Sequence, residues 1–92
     1  MIDEQEEFFK ELKNIQNFVV ESLLIKEKEF YDTKSLLQEA TYQTIYKFME
    51  LLDGYGQNLK KYEIRIHETE KILNASNSLH DKCEEYLIFT DV

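Results

Sequence analysis

Apolar side chains recur at spacings of three and four along the first third of the chain, at Phe8, Leu12, Ile15, Val19 and Leu23. That is the period of an amphipathic helix. Asp3, Glu4, Glu6 and Glu7 stand ahead of them, where a helix N-terminus favours negative charge. The pattern predicts one long helix over residues 3–30. Its polar strip, Lys10, Asn14, Asn17, Glu21 and Lys28, is narrow. In the second half Phe18, Val20, Leu24 and Ile25 widen the apolar arc. A helix that is apolar on most sides needs more than one neighbour, so this one is covered on two sides or it dimerises.

A second helix is predicted to open at Ser35, which with Gln38 has the spacing of a capping box. Leu36, Leu37, Ala40, Thr44, Ile45, Phe48, Leu51 and Leu52 fall on one broad face. This helix runs into LLDGYGQN, residues 51–58, which holds the only two glycines of a chain without proline. A phosphate loop places its glycines ahead of a helix, where free backbone N–H groups point at the anion. Here they follow a helix and stand beside Asp53. Gly54 therefore reads as the left-handed residue that stops the helix, and Gly56 as a second turn.

Residues 59–74 fit two periods. Tyr62, Ile64 and Ile66 alternate with Glu63, Arg65 and His67 as in a strand, while Leu59, Tyr62, Ile66, Thr69 and Leu73 also fit a helix. The β-branched Ile64 and Ile66 favour a strand, with Lys71–Asn74 returning after a Glu68-Thr69-Glu70 turn. That turn lacks the glycine or asparagine of a tight hairpin. A last short helix is predicted to start near Ser78, with Leu79, Cys83, Tyr86 and Leu87 inward and residues 89–92 as a loose tail. The expected fold is mainly α (α+β): two long antiparallel helices, a short β-hairpin and a short C-terminal helix in a single domain, residues 1–92.

Composition agrees with one folded unit. The chain has 92 residues, 42% of them hydrophobic, with six tyrosines and six phenylalanines. A chain of this mass buries roughly 65% of its surface on folding. The net charge of −8 is spread along the chain and leaves no basic stripe for a polyanion, so no nucleic-acid binding is expected. An acidic surface favours a basic protein partner instead. The single cysteine, Cys83, fits a reducing compartment. The first ten residues are acidic where a secretory signal is basic, and no apolar stretch approaches the ~20 residues of a membrane span. A cytoplasmic chain with no membrane association is expected.

Candidate chemistry is sparse. His80, Cys83 and Glu84 stand at i, i+3 and i+4 and could converge on a metal, but zinc takes four ligands, or three and water. Cys83 occupies an apolar position, where cysteine serves as a small hydrophobe. His80-Asp81 matches a dipeptide of metal-dependent phosphohydrolases, whose further histidines the chain lacks. A cysteine nucleophile needs a base and an orienting group, and only His80 offers itself. No enzymatic activity, cofactor or metal is expected. A surface ridge carries more weight: Tyr42, Tyr46, Met49 and Asp53, flanked by Glu39 and Glu50, share one side of the second helix. Tyrosine offers stiff contact area with a polar tip, and neighbouring carboxylates steer a basic partner. Tyr42, Tyr46, Met49, Glu50 and Asp53 are therefore candidate partner-binding residues; the other reading packs the ridge under the first helix or the hairpin.

TYQTIYKFMELLDGYG, residues 41–56, followed by YEIRIH, KILN and LHDKCEEYL, resembles small bacterial immunity-like proteins of polymorphic toxin systems. The likeness spans roughly residues 36–88 and is carried by Tyr42, Tyr46, Met49, Glu50, Leu51, Asp53, Gly54, Tyr55, Leu79, His80 and Asp81. Where related turns carry ETG, this chain has Glu68-Thr69-Glu70. The resemblance implies a non-catalytic cytoplasmic inhibitor that binds and neutralises one cognate toxin, possible basic partners being toxins that attack nucleic acid. The alternative is a homodimeric structural or regulatory adaptor joined through the apolar arc from Phe18 to Ile25. Monomer and homodimer both remain open.

Overall fold

Two helices of opposite direction form the frame because both carry apolar residues at helical spacing and each begins at an aspartate. In the computed structural model, which describes residues 3–75 and 78–89, α1 spans Glu4–Ile25 and α2 spans Thr33–Glu50. The Asp3 carboxylate accepts the Glu6 N–H at 2.7 Å, and the Asp32 carboxylate accepts the Ser35 N–H at 2.8 Å. Each satisfies a backbone donor that the helix itself leaves free. The second helix thus starts ahead of Ser35, with Asp32 as its cap. A carboxylate adds a favourable charge at the helix N-terminus that a serine hydroxyl lacks. After α1 a 3₁₀ turn, Glu27–Glu29, leads into the connection.

Phe8 meets Phe48 edge to face with ring centroids 6.1 Å apart, and Tyr62 at 5.3 Å. The start of α1 therefore packs on the end of α2 and on the segment that follows it. Among the described residues Val19, Leu23, Leu51, Leu52 and Cys83 are the buried hydrophobic ones. Leu51 is the most enclosed, at 1% exposure.

Beyond Glu50 the helix widens into one π turn, Leu51–Tyr55, and stops at Gly54, whose φ of 102° is left-handed. Such a φ costs glycine little and other residues more. Gly56 is required for a different reason. A Cβ there would stand 2.5 Å from Leu51 Cδ1, so only glycine lets the backbone pass so close to the core.

The expected β-hairpin is not present, and the α+β assignment is corrected to a helical protein. Among the described residues there is no strand and no sheet, only an isolated antiparallel bridge between Arg65 and Ile72. The chain does reverse here: Ile66 N–H donates to Lys71 O at 2.8 Å and Leu73 N–H to Ile64 O at 2.7 Å. The pairing stops there because a side chain replaces the backbone. Asn74, buried, accepts the Ile64 N–H through Oδ1 at 3.1 Å and donates from Nδ2 to Tyr62 O at 2.6 Å. The turn also forces Glu70 to a φ of 58°, a left-handed conformation disfavoured for a residue with a Cβ.

After residue 78 a 3₁₀ turn, His80–Lys82, runs into the single-turn helix α3, Cys83–Tyr86. Phe89 closes on Tyr42 with centroids 4.9 Å apart; residues 90–92 of the expected tail lie outside the described residues. No helix among the described residues is long and apolar enough to cross a membrane.

Candidate functional site

Asp53 and His80, 27 positions apart, meet in a polar cluster that ties the end of α2 to the C-terminal segment. The last turn after α2 aims the Asp53 carboxylate at the start of the C-terminal segment. Its Oδ2 accepts the His80 backbone N–H at 3.0 Å and lies 2.6 Å from His80 Nδ1. The side chain of Asp53 is only 3% exposed. Burial works to raise its pKa, but the hydrogen bonds from the His80 backbone and ring, with the nearby Leu79 amide, outweigh it and hold the carboxyl below the ordinary aspartate range. Oδ1 is buried with no hydrogen-bond partner among the described residues.

The imidazole is held on every side. Its Nε2 lies 3.3 Å from Asp81 Oδ1. Tyr46 and Tyr55 meet it edge to face, at 5.6 and 5.2 Å between centroids. Tyr42 stacks on Tyr46 at 6.0 Å. Burial raises the pKa of both phenols, and nearby carboxylates add to it: Glu84 and Glu39 for Tyr42, Glu50 and Asp81 for Tyr46. Burial first, then Asp53, pushes the Cys83 thiol up as well. A thiol so placed stays protonated and is a poor nucleophile and a poor metal ligand.

The candidate residues therefore have distinct surroundings. Tyr42, Tyr46 and Asp53 come together, covered by the chain's own segment 79–89. Met49 is half-buried, and Glu50 turns to Lys47 at 3.3 Å. Of the metal candidates, His80 is engaged by two aspartates, Cys83 is buried and Glu84 is exposed. Among the described residues no three His, Cys, Asp or Glu side chains are grouped to hold a metal.

A second carboxylate cluster went unnoticed in the sequence. Glu11 of α1, buried, accepts the backbone N–H groups of Gln57 and Asn58 at 3.3 and 3.1 Å. Glu7 beside it accepts Asn58 Nδ2 at 2.7 Å and Lys60 Nζ at 3.1 Å. The glycine loop thus does cradle an anion, but the anion is the chain's own. The available signal was Glu11 itself, a carboxylate at the edge of the apolar arc that Phe8 and Ile15 define.

Around the His80 latch the surface is aromatic and acidic. Tyr55 and Tyr86 are 66% and 79% exposed. Asp81, Glu84 and Glu85 of the C-terminal segment are exposed as well, Glu85 lying 3.5 Å from Lys82 Nζ. The geometry defines a small helical protein with a latched C-terminal segment. No protein-family model matches the chain, and no curated protein or solved structure was found to match it.

Proposed function

We propose that the chain is a non-catalytic protein-binding module whose acidic, aromatic end engages a basic protein. The observation that carries this reading is the set of exposed side chains at the C-terminal segment: Tyr55, which packs on the His80 ring, and Asp81, Glu84, Glu85 and Tyr86, which follow His80 in the chain. Exposed tyrosine with neighbouring carboxylates suits a partner rich in lysine or arginine. The net charge of −8 adds long-range attraction. The sequence resemblance narrows the partner to a toxin neutralised in the cytoplasm. Because Tyr42, Tyr46 and Asp53 are occupied in holding the segment, their role in this reading is to position the surface that the partner touches.

The test is affinity capture of the tagged chain from its own cells, washed at low and then high salt, followed by mass spectrometry. The expected result is one stoichiometric basic protein, released by salt and lost from a variant carrying Glu84→Lys and Glu85→Lys, both exposed, with unchanged melting. Failure to retain a basic protein, or retention undiminished by that variant, contradicts the proposal.

A further inference from the structure

We propose that residues 79–89 form a strap across α2 that opens as a unit while the α1–α2 frame stays folded, gating access to Tyr42, Tyr46 and the Cys83 thiol. The strap rests on α2 near both of its ends. The His80 ring meets Tyr46 at 5.6 Å between centroids, and the Phe89 ring meets Tyr42 at 4.9 Å. Of residues 79–89, Cys83 alone is buried. Elsewhere the strap stands off the helix. An open gap of about 320 Å³ lies between Tyr86 and Ile88 on one side and Thr41, Tyr42 and Ile45 of α2 on the other. Tyr86 and Ile88 are 79% and 67% exposed. Closing therefore buries little apolar surface, and segments with few buried apolar contacts open at the lowest cost.

One carboxylate latches the strap. Asp53 Oδ2 accepts the His80 N–H and lies against the ring Nδ1, whereas Oδ1 is buried without a hydrogen-bond partner among the described residues. Two charge-assisted contacts favour the closed form. The unpaired oxygen opposes it, because a buried polar atom without a partner has given up water for nothing. The closed form is the populated one, held by a smaller margin than the frame. The frame has its own core in Val19, Leu23, Leu51 and Leu52. Asn74, buried and bonded to Tyr62 and Ile64, fixes the chain ahead of the strap. Movement beyond Asn74 can therefore leave the frame in place.

Opening bares two stacked tyrosines, Tyr42 and Tyr46, with the Asp53 carboxylate released beside them. It also brings the Cys83 thiol into water. Both changes belong to the isolated chain and need no partner.

Ellman's reagent reads the opening directly, because Cys83 is the only thiol in the chain. Labelling of the full chain is followed at urea concentrations below the unfolding transition. Without urea it is expected to run at least about tenfold faster than the global unfolding equilibrium permits, with a shallower dependence on urea than unfolding itself. Two variants separate the routes to the thiol. Asp53→Ala removes the latch and speeds labelling at least about tenfold, with the helical circular dichroism retained. Val19→Ala, in the seam where α1 faces Ala40 and Thr44, lowers the urea midpoint yet changes the labelling rate by no more than about twofold. If labelling follows urea as steeply as unfolding does, or if Val19→Ala speeds it by the whole factor that it takes from global stability, the thiol is reached only by unfolding the chain and the strap does not open as a unit. Labelling unchanged by Asp53→Ala overturns the proposal equally, because Asp53 is then no latch.

Discussion

The two ends of the molecule are built on opposite terms. Where α2 ends, the irregular segments are held by polar side chains acting across long stretches of sequence. Glu11 holds two loop amides, Asn74 holds Tyr62 and Ile64, and Asp53 holds His80. On the outer face of α1 and α2 the backbone is regular and needs no such help, yet Phe9 and Val20 remain uncovered. A loop with buried N–H groups must find acceptors within its own chain. An exposed apolar helix face is satisfied by another surface. The first region meets most of its polar needs within the chain, and the second leaves apolar side chains exposed.

Leu51, the first residue of the π turn, is buried and stands against Gly56. Leu51→Ala is expected to cost about 2–5 kcal/mol, read as a drop in thermal midpoint, and is the largest single loss. Glu11→Ala leaves the Gln57 and Asn58 N–H groups without their acceptor and costs about 1–3 kcal/mol. The same loss in urea denaturation, with helix signal retained, assigns it to the loop.

Acid weakens the latched end in a defined direction. The Asp53 carboxyl titrates below its ordinary range in the folded chain. Its contribution is therefore complete above the unfolded value and is lost as the pH falls through the lower folded one. Melting is expected to fall on acidification below about pH 4. Asp53→Asn flattens part of that limb; Glu7 and Asp32, also held low by hydrogen bonds, keep the rest. The smallest effect belongs to the open face. Val20→Glu changes the melting of the isolated chain by no more than about 0.5 kcal/mol, because a half-exposed side chain has little packing to lose.

The same division explains what could be read from the sequence. The helices were legible because Phe8, Leu12, Ile15, Val19 and Leu23 repeat at helical spacing, and the stop at Gly54 because a left-handed residue there suits glycine. The apolar arc that includes Val20 was visible for the same reason. The alternation at Tyr62, Ile64 and Ile66 misled: it reports which side chains face inward, and it is silent on whether a backbone or the Asn74 amide supplies the hydrogen bonds. Asp53 and His80 were each singled out, but periodicity carries no information on a contact across 27 positions. Nothing in its spacing sets Glu11 apart from the other acids in a chain with 19 of them.

Native-state amide hydrogen exchange measures the central difference most directly. The Gln57, Asn58 and His80 amides, each donating to a carboxylate, are predicted to exchange slowly and, for Gln57 and Asn58, to lose protection in Glu11→Ala. If these three amides exchange as freely as those of an open loop, carboxylates do not hold the irregular end, and the account fails.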